Sequence, residues 1–269
     1  MKTYRNVRLL AVLLTGGLLA VQFAGCDNTG PFDVNNNRFS AEEPFSFQLN
    51  PTDQTHLIVR AINGSVEIIG SSDTAHVEVS GVRIVQAGSQ RDAENYLARL
   101  DVNIRMNTGE IEVETEQPSD TNGREFIVNY QIRVPANWDV DLIHVNGEVE
   151  VDSLDGALDI NHTNGNIVIS DVTGDLYVDL TNGQISAKTA NQQPRICRMT
   201  IVNGQMIVTI PESTDATFSA SVTNGQVSVR NLTMDNLSSR LNAVSGTLGA
   251  GQGEITLRAV NGNIDVSGY

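Results

Sequence analysis

Cysteine, aromatic and basic side chains are all scarce in this chain of 269 residues, and each shortage excludes something. Two cysteines are too few for the disulfide framework of a small secreted domain. Aromatic residues make up only 5% of the chain, which is expected of a thin core. The 17 Lys and Arg residues face 32 Asp and Glu residues, so the net charge is −15 with neutral histidine. Such a charge argues against binding to nucleic acid or, through the protein surface, to an anionic membrane.

Long hydrophobic runs are also absent, apart from one near the start of the chain. Three basic residues precede the mostly apolar stretch from Leu9 to Ala20, which Phe23-Ala-Gly-Cys26 follows. This order indicates a secretory signal, and the apolar stretch is too short to favour a membrane-spanning helix. The segment resembles the bacterial lipoprotein signal, with Phe23 where leucine is usual. The resemblance implies removal of residues 1–25 and lipidation of Cys26, which would anchor the protein to a membrane; an ordinary signal peptide is the alternative.

The next segment, residues 26–45, has no periodic pattern and includes three consecutive asparagines, so we predict a flexible tether. Residues 1–25 hold three basic residues and no acidic one, so their removal makes the net charge −18. Residues 46–269 are long enough for a single elongated domain. Its pattern is less regular over residues 46–135 and regular over residues 136–269.

The regular part is organised by the dipeptide Asn-Gly, which returns every 16 to 21 residues if Ser245-Gly246 is counted as one occurrence. A fixed period near 20 residues, with one supersecondary unit per period, is typical of a solenoid. An array of β-hairpins is the alternative, because Asn-Gly is also the strongest short hairpin signal. The asparagines of the dipeptides are Asn146, Asn164, Asn182, Asn203, Asn224 and Asn261.

Apolar residues alternate with polar ones on both sides of each Asn-Gly, which is the period of a β-strand. They lie six, four and two residues before the asparagine, and three and five residues after it. The step across the dipeptide is odd, so we expect a corner there, made possible by two residues that tolerate positive φ. A second corner is predicted halfway round each coil, at Asp155-Gly156 and Thr173-Gly174, and the longer coils place Pro194 and Pro211 there. The sequence therefore predicts an all-β fold, a flattened two-sheet β-solenoid with 18–21 residues per coil.

The first half of the domain repeats the corner once, at Asn63-Gly64, and is interrupted by one short helix near residues 89–100. Ser89 is a suitable N-cap, and the apolar stripe that includes Ala93 and Leu97 predicts a helix lying across the solenoid as a cover. An alternating run from Phe126 then ends at Pro135.

The order of these parts resembles a bacterial family described as "putative adhesins", which are domains of unknown function with β-strand repeats. The motifs that carry the resemblance are the segment from Ala61 to Ile68, the helical insert, the segment from Tyr130 to Pro135, and the later Thr-Asn-Gly repeats. The resemblance covers roughly residues 50 to 269. Its motifs are structural, so it implies a fold and says little about activity, and no functional residue transfers from it.

Few residues are candidates for chemistry. His144 and His162 share one register position in successive coils, so a solenoid would stack them, either as a metal-binding pair or as corner residues that fill space. Cys197 is in the inward register and is expected to be an inert core thiol. Recurrent acidic residues could serve a glycosidase or bind calcium, or form a solvated face; they are Asp152, Asp155, Asp159, Asp171, Asp175 and Asp179.

The sequence favours a lipid-anchored protein of the bacterial cell envelope that acts as a non-catalytic binding or scaffold protein. It predicts no cofactor and no catalytic residue. An envelope protein or a glycan is the expected partner. The alternative function is that of a polysaccharide lyase or hydrolase built on a β-solenoid. End-to-end self-association is a further possibility, because the chain ends at Ile264, Val266 and Tyr269 without a polar cap.

Overall fold

The computed structural model describes residues 37–72, 76–189 and 196–269. The predicted signal peptide, Cys26, the first part of the tether and Pro194 therefore lie outside the described residues. The described chain forms seventeen strands and one helix, α1, over Gln90–Leu97. The strands are β1 Phe39–Leu49, β2 His56–Asn63, β3 Val66–Ser71, β4 Val77–Ala87, β5 Asp101–Met106, β6 Glu110–Glu116, β7 Glu125–Pro135, β8 Asp139–Asn146, β9 Val149–Asp152, β10 Leu158–Val172, β11 Leu176–Thr189, β12 Ile196–Ile210, β13 Ala216–Asn224, β14 Val227–Arg230, β15 Asp235–Arg240, β16 Ala243–Leu248 and β17 Gly253–Gly268.

Hydrogen bonds join all seventeen strands into one sheet, which folds into two layers along the column of Asn-Gly dipeptides. Strands β10, β11, β12 and β17 run through the fold, so each contributes to both layers. The upstream layer contains the strands before the asparagines, in the order β5, β6, β2, β8, β10, β11, β12, β17, β13, β16, β15. The downstream layer contains those after them, in the order β1, β4, β7, β3, β9, β10, β11, β12, β17, β14. The predicted β-solenoid is confirmed.

The coils stack in parallel and in register, which puts like residues of successive coils next to each other. Strand β10 pairs with β11 so that Asn164 is opposite Asn182 and Leu158 is opposite Leu176. The side chains of Leu158, Ile160 and Ile167 are fully buried, and both layers contribute to one continuous hydrophobic core. The inward register that the sequence predicts on each side of the dipeptide is therefore the observed one.

The fold between the layers depends on glycine and on a ladder of asparagine side chains. Gly165 has a φ of +140°, and a Cβ atom there would lie 1.8 Å from the carbonyl oxygen of Gly147, so only glycine fits between the coils. Each asparagine donates its side-chain amide to the side-chain oxygen of the one in the adjacent coil, over 2.8 to 2.9 Å. The first amide of the ladder, that of Asn63, is bonded to the carbonyl of Phe126 over 3.0 Å.

The second corner also stacks between coils. The hydroxyl of Thr173 donates to Oδ1 of Asp155 over 2.8 Å, and a Cβ on Gly174 would lie 1.9 Å from the carbonyl oxygen of Gly156. Pro211 begins the longer turn between β12 and β13, as the sequence predicts for the 21-residue coils.

The last coils do not stack in chain order. Strand β17 lies between β12 and β13, with Asn261 opposite both Asn203 and Asn224. Ser245-Gly246 does not fill the gap in the column, because β16 runs antiparallel to β13 and forms a terminal hairpin with β15. Spacing along the chain gives the order of coils in sequence and not their order in space, since all the Asn-Gly coils pair in the same register.

The insertion of β17 changes the interpretation of the chain end. Ile264 and Val266 are fully buried and lie inside the stack, so they are not the exposed end on which self-association was predicted. The end of the upstream layer beyond β13 is formed by β15, which is exposed throughout and includes Leu237; the exposed Leu241 follows it directly.

The opposite end of the stack is closed by antiparallel strands. In the downstream layer β7 pairs with β4 and β4 pairs with β1, and in the upstream layer β6 pairs with β5. Residues 39–45 belong to β1, so the predicted tether of residues 26–45 extends too far into the domain. Pro44 and two glutamates interrupt the alternation of apolar and polar residues in this stretch, so the sequence pattern does not predict a strand there.

The predicted helix is confirmed as α1. The Ser89 hydroxyl accepts a hydrogen bond from the Asp92 backbone over 3.3 Å, and Ala93 packs fully buried against Ala41 and Ala87. Because these two alanines belong to β1 and β4, the helix covers the closing strands rather than the regular coils.

Candidate functional site

The outer side of the upstream layer carries a shallow depression of about 280 Å³ over the middle coils. It lies over strands β8, β10, β11 and β12, beside the asparagine column. The outward positions one and three residues before each asparagine form the surface of the depression: Ile143, Val145, Asn161, Thr163, Asp179, Thr181, Thr200 and Val202. We call the whole outward surface of the upstream layer the upstream face.

Aliphatic side chains border the depression. Ile143 is 40% exposed, and Val145 and Val202 are each 37% exposed. The threonines between them, Thr163 and Thr181, are shorter and polar, so the surface is lower in the middle than at its two sides. Val260 of β17 continues the apolar border at 39% exposure.

Acidic side chains lie directly beside the depression. Asp141 of β8 is opposite Asp159 of β10, and Asp179 of β11 is opposite Asn161, two residues further along. The Asn161 amide donates to Asp159 over 2.9 Å. Burial raises the pKa of Asp159, and the nearby charges of Asp141 and Asp179 raise it further.

The stacked histidines lie on the inward side of the same strands. The rings of His144 and His162 are 4.8 Å apart between centroids and inclined by 9°, and both are buried. Nδ1 of His162 is 3.2 Å from the carbonyl of His144, and its Nε2 is 3.0 Å from the carbonyl of Gly147. Neither ring nitrogen of His144 has a hydrogen-bond partner among the described residues.

Their geometry suits packing better than metal binding. The lone pairs of an imidazole lie in the plane of its ring, so two parallel rings direct them side by side rather than at a common ion. Both nitrogens of His162 also face carbonyl oxygens. In the part of the chain that the structure describes, no group of three or more His, Cys, Asp or Glu residues is arranged to hold a metal ion.

Burial shifts the titration of both histidines. The pKa of His144 is lowered to about 4, chiefly by desolvation. The neighbouring His162 also lowers it, and the Asn146 backbone raises it slightly. Desolvation also lowers the pKa of His162, against the two backbone carbonyls that favour its protonation. The pair is therefore neutral near pH 7.

Cys197 has the role predicted for it. The side chain is buried opposite Leu176 and Ile255, and burial raises the pKa of its thiol to about 12. A thiol with that pKa is not ionised at neutral pH, so it is not a nucleophile.

The acidic residues weighed as a possible catalytic or calcium-binding group separate into two places. Asp159 and Asp179 are on the upstream face. The other four lie at or near the second corner, where two of them join adjacent coils: Asp155 accepts from Thr173, and Asp175 accepts from the Ile196 backbone over 3.0 Å. The remaining two are Asp152 and Asp171.

Sequence reasoning missed Asp141 and the apolar border of the depression. Asp141 lies five residues before Asn146, as Asp159 does before Asn164, so the repeat register could have identified the pair. Ile143 and Val202 occupy outward positions where polar residues are the usual choice, and that was the available signal.

The described residues include no helix that is long and apolar enough to cross a membrane.

Comparison with known proteins identifies the domain. Residues 99–267 match the model of the family described as Toastrack DUF4097, which is more than half of the chain. Among solved structures, a "putative cell adhesion protein" from Clostridium sporogenes is 13% identical, with 85% of this chain and 100% of that one covered and a TM-score of 0.46. A "putative adhesin" from Parabacteroides merdae is 10% identical, with 87% and 97% covered and a TM-score of 0.28. No curated protein matches the chain.

Proposed function

The chain belongs to the Toastrack DUF4097 family, a domain of unknown function, and from this premise we propose that it is a non-catalytic binding or scaffold protein of the bacterial cell envelope. A lipid on Cys26 holds it at a membrane. Its partner is an envelope protein or a glycan.

The upstream face is the observation that carries this proposal. In-register stacking repeats the same outward positions from coil to coil, so a rigid surface is presented over several strands. On that surface the depression combines exposed aliphatic groups with hydroxyl, amide and carboxylate groups. A concave surface of mixed chemistry on a rigid scaffold is suited to recognition.

The lipid anchor is supported by the segment that ends at Cys26 and by the charge of the rest of the chain. A net charge of −18 without residues 1–25 makes the protein surface repel an anionic bilayer, so a covalent lipid is the means of attachment that fits. The anchor would hold the solenoid close to the envelope and leave its faces free for a partner.

The test is to express the full chain in a bacterial host and to follow its lipidation, location and partners. We expect incorporation of a labelled fatty acid, recovery in the membrane fraction, and capture of a discrete envelope component after solubilisation. Cys26→Ala should abolish the label and release the protein from membranes. Cys197→Ala is the matched control, because it removes the other cysteine, a buried thiol, and should leave the label in place.

An unlabelled wild-type protein would overturn the anchor. A labelled, membrane-bound protein that captures neither an envelope protein nor a glycan would overturn the binding function and leave the anchor standing.

A further inference from the structure

Like charges lie next to each other on the upstream face, although such neighbours destabilise a sheet. Carboxylates directly opposite each other on paired strands repel, and Asp141 and Asp159 are in that arrangement, with Asp179 on the next strand diagonal to Asp159. Elsewhere on this face opposite charges are paired: Arg198 contacts Glu254, and Arg60 contacts Glu112, each over 3.0 Å.

Among the ion pairs of the described residues, only one includes any of the three aspartates. Nε2 of His56 is 3.1 Å from Asp141, without the alignment of a hydrogen bond, and this histidine is charged only when it is protonated. Arg60 and Arg198 are engaged with their own glutamates, and the exposed Arg258 lies opposite Thr200, on the β17 side of the depression. Among the described residues no arginine or lysine forms an ion pair with Asp141, Asp159 or Asp179, so their negative charge is left unpaired at the depression.

The depression supplies the apolar half of the same surface. Ile143, Val145 and Val202 leave about two-fifths of their surface in water, on the face that the carboxylates share. Burying exposed aliphatic area stabilises a complex by about 25 cal/mol per Å² before ordering costs. A partner that covered both parts would need basic groups next to aliphatic ones.

We propose that the upstream face binds a cationic amphipathic polypeptide segment, whose basic side chains meet Asp141, Asp159 and Asp179 and whose apolar side chains cover Ile143, Val145 and Val202. This inference rests on the proposed binding function and names the chemistry of the partner. A neutral glycan would leave the carboxylates without a counter-charge, and an anionic lipid surface would be repelled by them.

The probe is a synthetic peptide of alternating lysine and leucine, titrated into the purified chain and followed by calorimetry. A lysine–serine peptide tests the need for apolar side chains, and a glutamate–leucine peptide tests the need for positive charge. We expect the lysine–leucine peptide to bind most tightly and the glutamate–leucine peptide not to bind.

Two sets of variants locate the site. Asp141→Asn, Asp159→Asn and Asp179→Asn together should weaken binding about tenfold or more, since each exposed ion pair contributes up to about 1 kcal/mol. Ile143→Ser with Val202→Ser should weaken it as well, at unchanged thermal stability.

The matched control removes the same charge from other surfaces, through Glu148→Gln, Glu150→Gln and Glu212→Gln, all at exposed positions. If this control weakens binding as much as the aspartate variant does, the peptide responds only to total charge and the proposal is wrong. An unchanged peptide affinity in the variant that combines Ile143→Ser with Val202→Ser would also overturn the proposal. So would a lysine–leucine peptide that does not bind at all. If the chain binds none of the peptides but still captures an envelope partner, this inference is wrong and the proposed function stands.

Discussion

At the residue scale, the corner glycines tolerate no side chain. A Cβ atom on Gly165 would lie 1.8 Å from one backbone oxygen, and both coils are fixed by the strands on either side. We therefore predict that Gly165→Ala lowers the free energy of unfolding by clearly more than the ~1–2 kcal/mol that positive φ alone costs an alanine. Urea denaturation followed by circular dichroism measures the difference.

The control for that substitution is Gly123→Ala. Gly123 also has positive φ, at +79°, but nothing lies within 4 Å of the position that its Cβ would take. This variant introduces the strain of a positive φ without a clash. Equal destabilisation by the two substitutions would mean that the coils can separate to accept a methyl group.

The buried histidines make stability depend on pH. The pKa of His144 is lowered to about 4 in the folded chain, against about 6.5 when unfolded. Above pH 6.5 the histidine is neutral in both states. Between pH 6.5 and pH 4 the unfolded chain binds the proton more readily than the folded chain, so the free energy of unfolding falls by about 3 kcal/mol. His144→Leu should reduce this acid destabilisation, because leucine does not titrate. Leucine should also fit at this position, since Leu180 already occupies the same column of the stack.

The measurement is the free energy of unfolding of both proteins from pH 7 to pH 4. Carboxylate titration is common to the two, so their difference reports the histidine. Parallel curves would show that His144 stays neutral or becomes solvated without cost, in conflict with its complete burial.

At the scale of the element, the asparagine ladder has one direction. Each side chain donates to the previous coil and accepts from the next, so Asn182 donates to Asn164 and accepts from Asn203. Asn182→Asp would place a carboxylate oxygen against the Asn164 oxygen, with no hydrogen between them. We predict destabilisation of about 1 kcal/mol or more at pH 7, relieved in acid when the carboxyl group can donate again.

Asn166→Asp provides the comparison, because this exposed residue lies just past the Asn164-Gly165 corner of the adjacent coil and outside the ladder. It adds the same charge without facing a ladder oxygen. If both variants lose the same stability, overall charge rather than ladder direction is responsible.

The elements could largely be predicted because their pattern is local. Alternation around Asn164 sets which side chains face inward, and Ser89 sets the start of α1. The pairing of β17 could not be predicted, because Asn261 fits equally well beside any coil that offers an asparagine. Likewise Asp141 and Ile143 occupy outward positions of the repeat. Whether they share a surface with Asp179 depends on which coils are neighbours in space.

At the scale of the molecule, the C-terminal coil is an internal one. In a solenoid each coil is stabilised by its neighbours, so loss of a terminal coil removes one interface and loss of an internal coil removes two. Strand β17 contacts β12 on one side and β13 with β14 on the other. Its late position in the chain therefore hides a central position in the stack.

A chain that ends at residue 251 tests this arrangement. We predict that hydrogen exchange accelerates throughout β12 and β13, whereas β10 and β11 stay protected by their own pairing. A chain shortened only by Tyr269 is the control and should exchange like the full chain over β13. If β13 remains protected in the shorter protein, it has closed directly onto β12, and β17 is then not needed between the two strands. In that case the insertion of β17 would be one of two stackings of similar stability.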